Sequence, residues 1–200
     1  MSATRRLVLA SASPARLGLL RTAGFAPEVV VSGFDESSIH AGSLTDLVGA
    51  LADAKATMVA SRSGMSGAVI VGCDSLLDVD GTAHGKPSSI DDARTRLRGL
   101  RGRSAILRTG HCVIDTESAR SARGVASTTV HFAHFTDDEL EAYLATGEPL
   151  AVAGAFTLDG RSAPFIDRIE GDHGNVIGLS LPLLRVLLAE LDLRVMDLWQ

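Results

Sequence analysis

The stretch Ala68 to Lys86, AVIVGCDSLLDVDGTAHGK, brings a carboxylate, a hydroxyl and an ammonium into one short segment. Its apolar start has the composition of a buried strand, and Asp74 is expected where that strand gives way to a loop, with Ser75 beside it. The pair Asp80-Gly81 is a tight-turn signal that returns Gly85-Lys86-Pro87 toward the acid. An acid so placed can take a proton from water, and a returned lysine can hold an anionic reactant next to it. A strand-end acid can equally do no more than cap a loop, so the rest of the chain must supply the context.

Three other groups could share such a site. Ser11-Ala-Ser-Pro14 follows the apolar run Leu7-Val-Leu-Ala10; Ser13 suits an N-cap and Pro14 the first helical position. The free N–H groups of that helix start, the serines and Arg16 one turn in make an anion site, although many Ser-Pro turns bind nothing. Gly33-Phe-Asp-Glu36 sets two carboxylates after a second strand, where they could hold a divalent cation or lie in a solvated loop. Lys55 continues the stripe Leu44, Leu47, Val48 and Leu51, either as a surface lysine lying along apolar area or with its ammonium turned into a cleft. Cys73 and Cys112 form no CxxC and are expected as small buried residues, and the six histidines show no metal-ligand spacing.

The elements that must position these groups mix strands and helices. Strands are expected over Leu7–Ala10, Glu28–Ser32, Ala68–Asp74, Ser104–Asp115 and Gly124–Phe135. The first two flank a helix that Gly24 stops, which implies a parallel pair, and the last two form an antiparallel hairpin. Capping signals at Ser43, Ser89 and Thr136 open three more helices, and Pro182–Leu191 forms a last amphipathic one. Between them Glu148–Gly178 is glycine-rich with little periodicity, a length of connection more often functional than idle. The fold class is therefore α/β with a part-parallel, part-antiparallel sheet in a single domain over residues 1–200.

Composition narrows the partners. With 46% hydrophobic and 22% charged residues the chain is an ordinary globular one, and with 4% aromatics its core must be aliphatic. A net charge of −5 without a basic block argues against a nucleic-acid polymer and leaves a small anionic ligand possible. The apolar run after Arg5-Arg6 is too short for an export signal and no segment is long enough to span a membrane, so a cytoplasmic location is expected.

Taken together, the motifs resemble the Maf family of nucleoside triphosphate pyrophosphatases, once called septum-formation inhibitors. Leu9-Ala-Ser-Ala-Ser-Pro-Ala-Arg16 is similar to the family's LASxSPRR signature, and Gly72-Cys-Asp-Ser75 to its GADT. Phe34-Asp-Glu36, Ala54-Lys55-Ala56, Gly85-Lys-Pro87, Thr109-Gly110, Gly147-Glu-Pro149, Ala153-Gly-Ala155 and Asn175-Val-Ile-Gly-Leu179 follow in order, nearly end to end. The resemblance implies hydrolysis between the α and β phosphates of a nucleoside triphosphate, a Mg²⁺ or Mn²⁺ requirement and a homodimer. It also implies a fold similar to the inosine triphosphate pyrophosphatases, a mixed sheet in two lobes with the site in the cleft between them. It casts Asp74 as the water-activating base; by their own chemistry Glu36 is the best candidate for a metal ligand, ahead of Asp35, and Ser11, Ser13, Arg16, Lys55 and Lys86 would hold the phosphates. The chain departs from the pattern at Ala15 for an arginine, at Ser75 for a threonine and at Asp159 for a glutamine, positions tied to base choice. A narrow preference for a methylated guanine nucleotide is thus one alternative, and a non-catalytic nucleotide-binding regulator of division is another.

Overall fold

The computed structural model describes residues 5–200. Its sheet is mixed, as the sequence implies. β1 (Arg6–Leu9) lies parallel to β2 (Glu28–Val29) on one side and to β3 (Ala68–Val79) on the other. β3 then runs antiparallel to β5 (Ser104–Asp115), β5 to β6 (Arg120–Phe132) and β6 to β7 (Ile166–Glu170). β4 (Thr82–His84) folds back on the far end of β3 through a turn in which Asp80 and Gly81 both take positive φ, as the Asp-Gly signal requires.

Among the described residues there are six α-helices: α1 (Pro14–Thr22), α2 (Leu44–Ala60), α3 (Ile90–Leu100), α4 (Asp137–Leu144), α5 (His173–Ile177) and α6 (Leu181–Glu190). The expected caps are made. Ser13, Ser43 and Ser89 each accept a backbone N–H of the first turn, and Thr136 and Glu139 form a reciprocal capping box.

The apolar core is interrupted along the strands. Near one end, Leu7, Val71 and Cys73 pack with α1 and α6 on one face, while Ile70 and Cys112 pack under α2 on the other. Near the other end, Leu77, Leu107 and Phe156 form a separate cluster that leads into α3 and α4. After Cys73 the strand carries the polar pair Asp74 and Ser75, and β5 beside it carries Arg108, Thr109 and His111. This polar belt separates two bodies of core joined by the three long strands, the division that a two-lobed fold demands.

Four sequence expectations need correction. β3 does not end at Asp74 but continues to Val79, because β5 pairs with it throughout and supplies a hydrogen-bonding neighbour past the apolar run. β6 begins at Arg120 rather than Gly124, since Arg120 sits opposite Asp115 across a four-residue turn and that pairing outweighs the polar composition. The second strand shrinks to Glu28–Val29 at the sheet edge, with only β1 to pair with. The segment read as aperiodic holds β7 and α5 among several short 3-10 turns, elements too short to set a period in sequence.

Candidate active site

The site lies where β3 loses a neighbour. β1 stops at Leu9, opposite Val71, and β4 begins to pair only at Leu77, so on that side residues 72–76 have no strand neighbour, an opening in the sheet. Ala10 N–H still donates to the Val71 carbonyl, which fixes the alternation: the main-chain groups of Cys73 and Ser75 face the opening, and those of Gly72 and Asp74 face β5. Side chains alternate too, so Asp74 points to the α2 face and Ser75 to the face of α1 and α5.

On the α2 face, Lys55 is only 9% exposed and Asp74 6%. The Lys55 ammonium lies 2.5 Å from Asp74 Oδ1 and 2.6 Å from Glu36 Oε1. The lysine has therefore turned into the cleft. Two glycines make this possible. Gly110 stands opposite Asp74 and Gly72 two residues before it, and a Cβ on either would fall within 2.8 Å of α2 backbone atoms. Helix α2 rests its main chain on this side-chain-free saddle, and Lys55 comes down on Asp74 as a result.

Burial raises the Asp74 pKa above the ordinary carboxylate value, against the lowering by the Lys55 charge and hydrogen bond and by Arg16. Among the described residues no donor reaches Oδ2, which leaves one oxygen to accept a proton. Glu36, on a 3-10 turn (Glu36–Ser38), is exposed apart from its lysine contact. Asp35 is committed to capping that turn through Ser37, whose hydrogen bonds lower its pKa. Among the described residues no group of three or more His, Cys, Asp or Glu is placed to hold a metal alone.

On the other face, Arg16 is held at three points. Nε donates to the Gly178 carbonyl at 2.8 Å, one Nη to Ser11 Oγ at 3.1 Å and the other to Ser75 Oγ at 2.9 Å. Ser11 Oγ also accepts the Ser13 N–H at 3.2 Å, and Ser13 Oγ caps α1 through the Arg16 N–H. Lys86 is exposed two residues past the β4 pair Leu77–His84, on the segment whose Gly85 carbonyl accepts from Gly154 N–H and Arg96. It makes no hydrogen bond or ion pair with Asp74. Asp159 is exposed on the turn after Thr157, whose hydroxyl it accepts, and Glu148 fixes that turn by accepting the Arg161 N–H. The structure thus joins Asp74, Lys55 and Glu36 directly, joins Ser11, Ser13, Arg16 and Ser75 directly, and leaves Lys86 and Asp159 at the periphery.

Sequence reasoning assigned no role to His111, which is wholly buried. Its Nε2 accepts the Ser180 N–H at 2.8 Å, so the proton sits on Nδ1 and is donated to the Thr109 carbonyl at 3.0 Å. Burial pushes its pKa down from 6.5 to about 4. Because the folded value is the lower one, its stabilisation is complete above pH 6.5 and is lost as pH falls through about 4. We expect this group to remove about 3 kcal/mol of unfolding free energy over that window, at about 1.4 kcal/mol per pH unit. Urea titrations of the wild type and His111→Gln check it: the variant must lose the corresponding slope, and an unchanged slope contradicts the assignment. No signal in the sequence distinguishes this histidine from an exposed one.

The two cysteines lie on opposite faces of the sheet, both buried and both free. Burial holds the Cys73 thiol at about 11 and the Cys112 thiol at about 12, so neither is a nucleophile at neutral pH.

The Maf-like protein family model matches residues 6–191. A protein of Streptomyces coelicolor named nucleoside triphosphate pyrophosphatase is 62% identical over 195 residues, covering 98% of this chain and 95% of its own. Proteins of the same name from Salinispora tropica (53%, covering 97% and 87%) and Gloeothece citriformis (48%, covering 96% and 97%) are similar over comparable spans. Matches of this length and identity place the protein in the Maf-like family.

Proposed function

We propose that this chain is a nucleoside triphosphate pyrophosphatase that hydrolyses the α–β phosphoanhydride to a nucleoside monophosphate and pyrophosphate. The observation that carries the reading is Asp74: a buried carboxylate with a raised pKa and a free oxygen, at an open strand edge flanked by Lys55 and Arg16. A raised pKa makes the carboxylate a better proton acceptor once ionised. Asp74 would take the proton of the attacking water at Oδ2, while Lys55 on Oδ1 keeps it ionised and oriented. Arg16 retains two of its five N–H donors after its three contacts, and these with Lys86 would neutralise the phosphates. The names carried by the relatives support the same activity.

A divalent cation fits the residues present. Asp74 and Glu36 put two carboxylates around one ammonium, a net charge of −1 that favours a cation, and Glu36 would hold it through its uncommitted oxygen while Asp74 Oδ2 stays free for the water proton. Mg²⁺ or Mn²⁺ takes such hard ligands together with substrate phosphate and water, and when bound it lowers the pKa of the attacking water.

The substrate range proposed is non-canonical or modified nucleotides. A methylated guanine nucleotide is favoured by one observation: Asp159 is exposed and, as a carboxylate, can only accept, which suits the N–H groups of a guanine edge. Ser75 is engaged with Arg16 and Thr109 and Ala15 offers no polar group, so neither replaces the donors a glutamine would give. A homodimer in the cytoplasm belongs to the same reading; exposed Val29 and Val31 beside the β2 edge are surface it could cover. The expected result of a panel of ordinary, methylated and deaminated triphosphates with Mg²⁺ or Mn²⁺ is stoichiometric pyrophosphate and monophosphate. Release of orthophosphate and diphosphate, or tight binding without any product, overturns the activity.

A further inference from the structure

Thr109 is wholly buried in the middle of β5 and touches neither Asp74 nor Lys55 by hydrogen bond. Its hydroxyl lies 2.9 Å from Ser75 Oγ and 3.2 Å from the Asn175 carbonyl. A carbonyl can only accept, so the single Thr109 proton goes to Asn175. Ser75 must then donate to Thr109, which turns the Ser75 lone pairs toward Arg16, whose Nη donates at 2.9 Å. The chain of donors runs one way, from Arg16 through Ser75 and Thr109 to Asn175. The Asn175 side chain amide, also buried, donates to the Leu107 carbonyl and Thr128 Oγ1 and so fixes the last acceptor against the sheet. Three residues on, Gly178 supplies the carbonyl that holds Arg16 Nε.

We propose that Thr109 is a positioning residue for substrate binding: its hydroxyl sets the direction of the Ser75 hydrogen bond and thereby locks the Arg16 guanidinium with its two remaining N–H groups toward the substrate phosphates. The proposal rests on the reading that Arg16 binds phosphate. Valine at 109 keeps the β-branched shape and removes the hydroxyl, so Ser75 is free to rotate its proton toward Arg16 and the guanidinium loses a fixed acceptor. The reaction centre on the opposite face of the sheet keeps Asp74, Lys55 and Glu36.

The experiment measures KM and kcat for pyrophosphate release in Thr109→Val, Thr109→Ser, Ser75→Ala and Arg16→Met, and in the pairs of the first and third with Arg16→Met. One hydrogen bond to a charged group is at stake, so Thr109→Val is expected to raise KM about tenfold while kcat falls far less. Thr109→Ser restores KM because the hydroxyl returns. In the Arg16→Met background Thr109→Val changes KM by less than about twofold, since the group it positions is gone. A KM unmoved by Thr109→Val, a full effect persisting without Arg16, or no rescue by serine each overturns the proposal. Should Thr109→Val fail to fold, Ser75→Ala tests the same link, with an equal rise in KM that vanishes in Arg16→Met and whose persistence there overturns it. An unchanged KM in Arg16→Met alone overturns the phosphate assignment of Arg16, whereas a raised KM there with no effect at Thr109 or Ser75 overturns only the relay.

Discussion

Asp74→Asn is expected to lower kcat for pyrophosphate release by about a hundred- to ten-thousand-fold, the range over which a general base contributes. The amide keeps the shape and can still face Lys55, but its remaining oxygen has no useful basicity. The fold should survive. Burial raises the Asp74 pKa in the folded protein, so the stability this group contributes is fully present below 3.8 and is lost as pH rises through its folded value. Removing the charge therefore does not weaken the fold at neutral pH, and Lys55 keeps Glu36 as its partner. Thermal unfolding alongside kinetics separates the two effects: a variant as active as wild type across the nucleotide panel sinks the base assignment. The same carboxylate predicts the pH profile. Its ionisation sets the acid limb of kcat/KM, above the usual carboxylate range. Lys55→Met removes both of the largest lowering influences on Asp74, so the acid limb must move to higher pH. A limb that stays put or moves down contradicts the pairing.

Gly110→Ala is the second large effect, and it acts through packing. The new methyl would lie 2.0 Å from the Val48 carbonyl oxygen and 2.8 Å from the Gly49 nitrogen, both main-chain atoms of α2. Helix backbone cannot rotate away as a side chain can, so α2 must lift from the sheet. Overpacking of this kind costs about 1–3 kcal/mol or more, and this contact belongs at the upper end. Gly72→Ala meets the same helix one turn on, 2.4 Å from the Ala52 oxygen and 2.8 Å from the Ala56 nitrogen. Lifting α2 also withdraws Lys55 from Asp74, so kcat should fall by more than the loss of folded protein explains. Urea titration with activity measured on the folded fraction checks both parts. The double variant should cost less than the sum of the singles, because one displacement relieves both clashes; strict additivity would mean that α2 does not move.

These two predictions differ in how far the sequence foretells them. Asp74, Lys55, Glu36 and Arg16 could be picked out before any fold was known, because their types suit a phosphate-hydrolysing site and their motifs are in family order. The α/β class, the parallel start, the Asp-Gly hairpin and the helix caps were equally legible, since each depends on residues within a few positions of one another. The stripe on α2 was legible only in part. The buried line is Val48, Leu51, Ala52, Lys55, Ala56 and Val59, shifted toward alanines that hydrophobicity underrates but that let the helix lie close. β7 and α5 escaped because five-residue elements carry no period.

What the sequence determined by itself is the inventory: which acid, which cations, which hydroxyls, and the local elements that carry them. What only the tertiary structure decided is their partition and orientation. Asp74 and Ser75 are neighbours in sequence, yet the pleat of β3 sends one to α2 and the other to Arg16. Whether Lys55 lay along the surface or entered the cleft depended on Gly72 and Gly110, residues with no side chain to read. The direction of the Thr109 hydroxyl was set by a carbonyl 66 positions away. The physical reason is the same in each case: propensity and capping act over a few residues, whereas burial, pKa and the sense of a hydrogen bond depend on which distant segments are brought together.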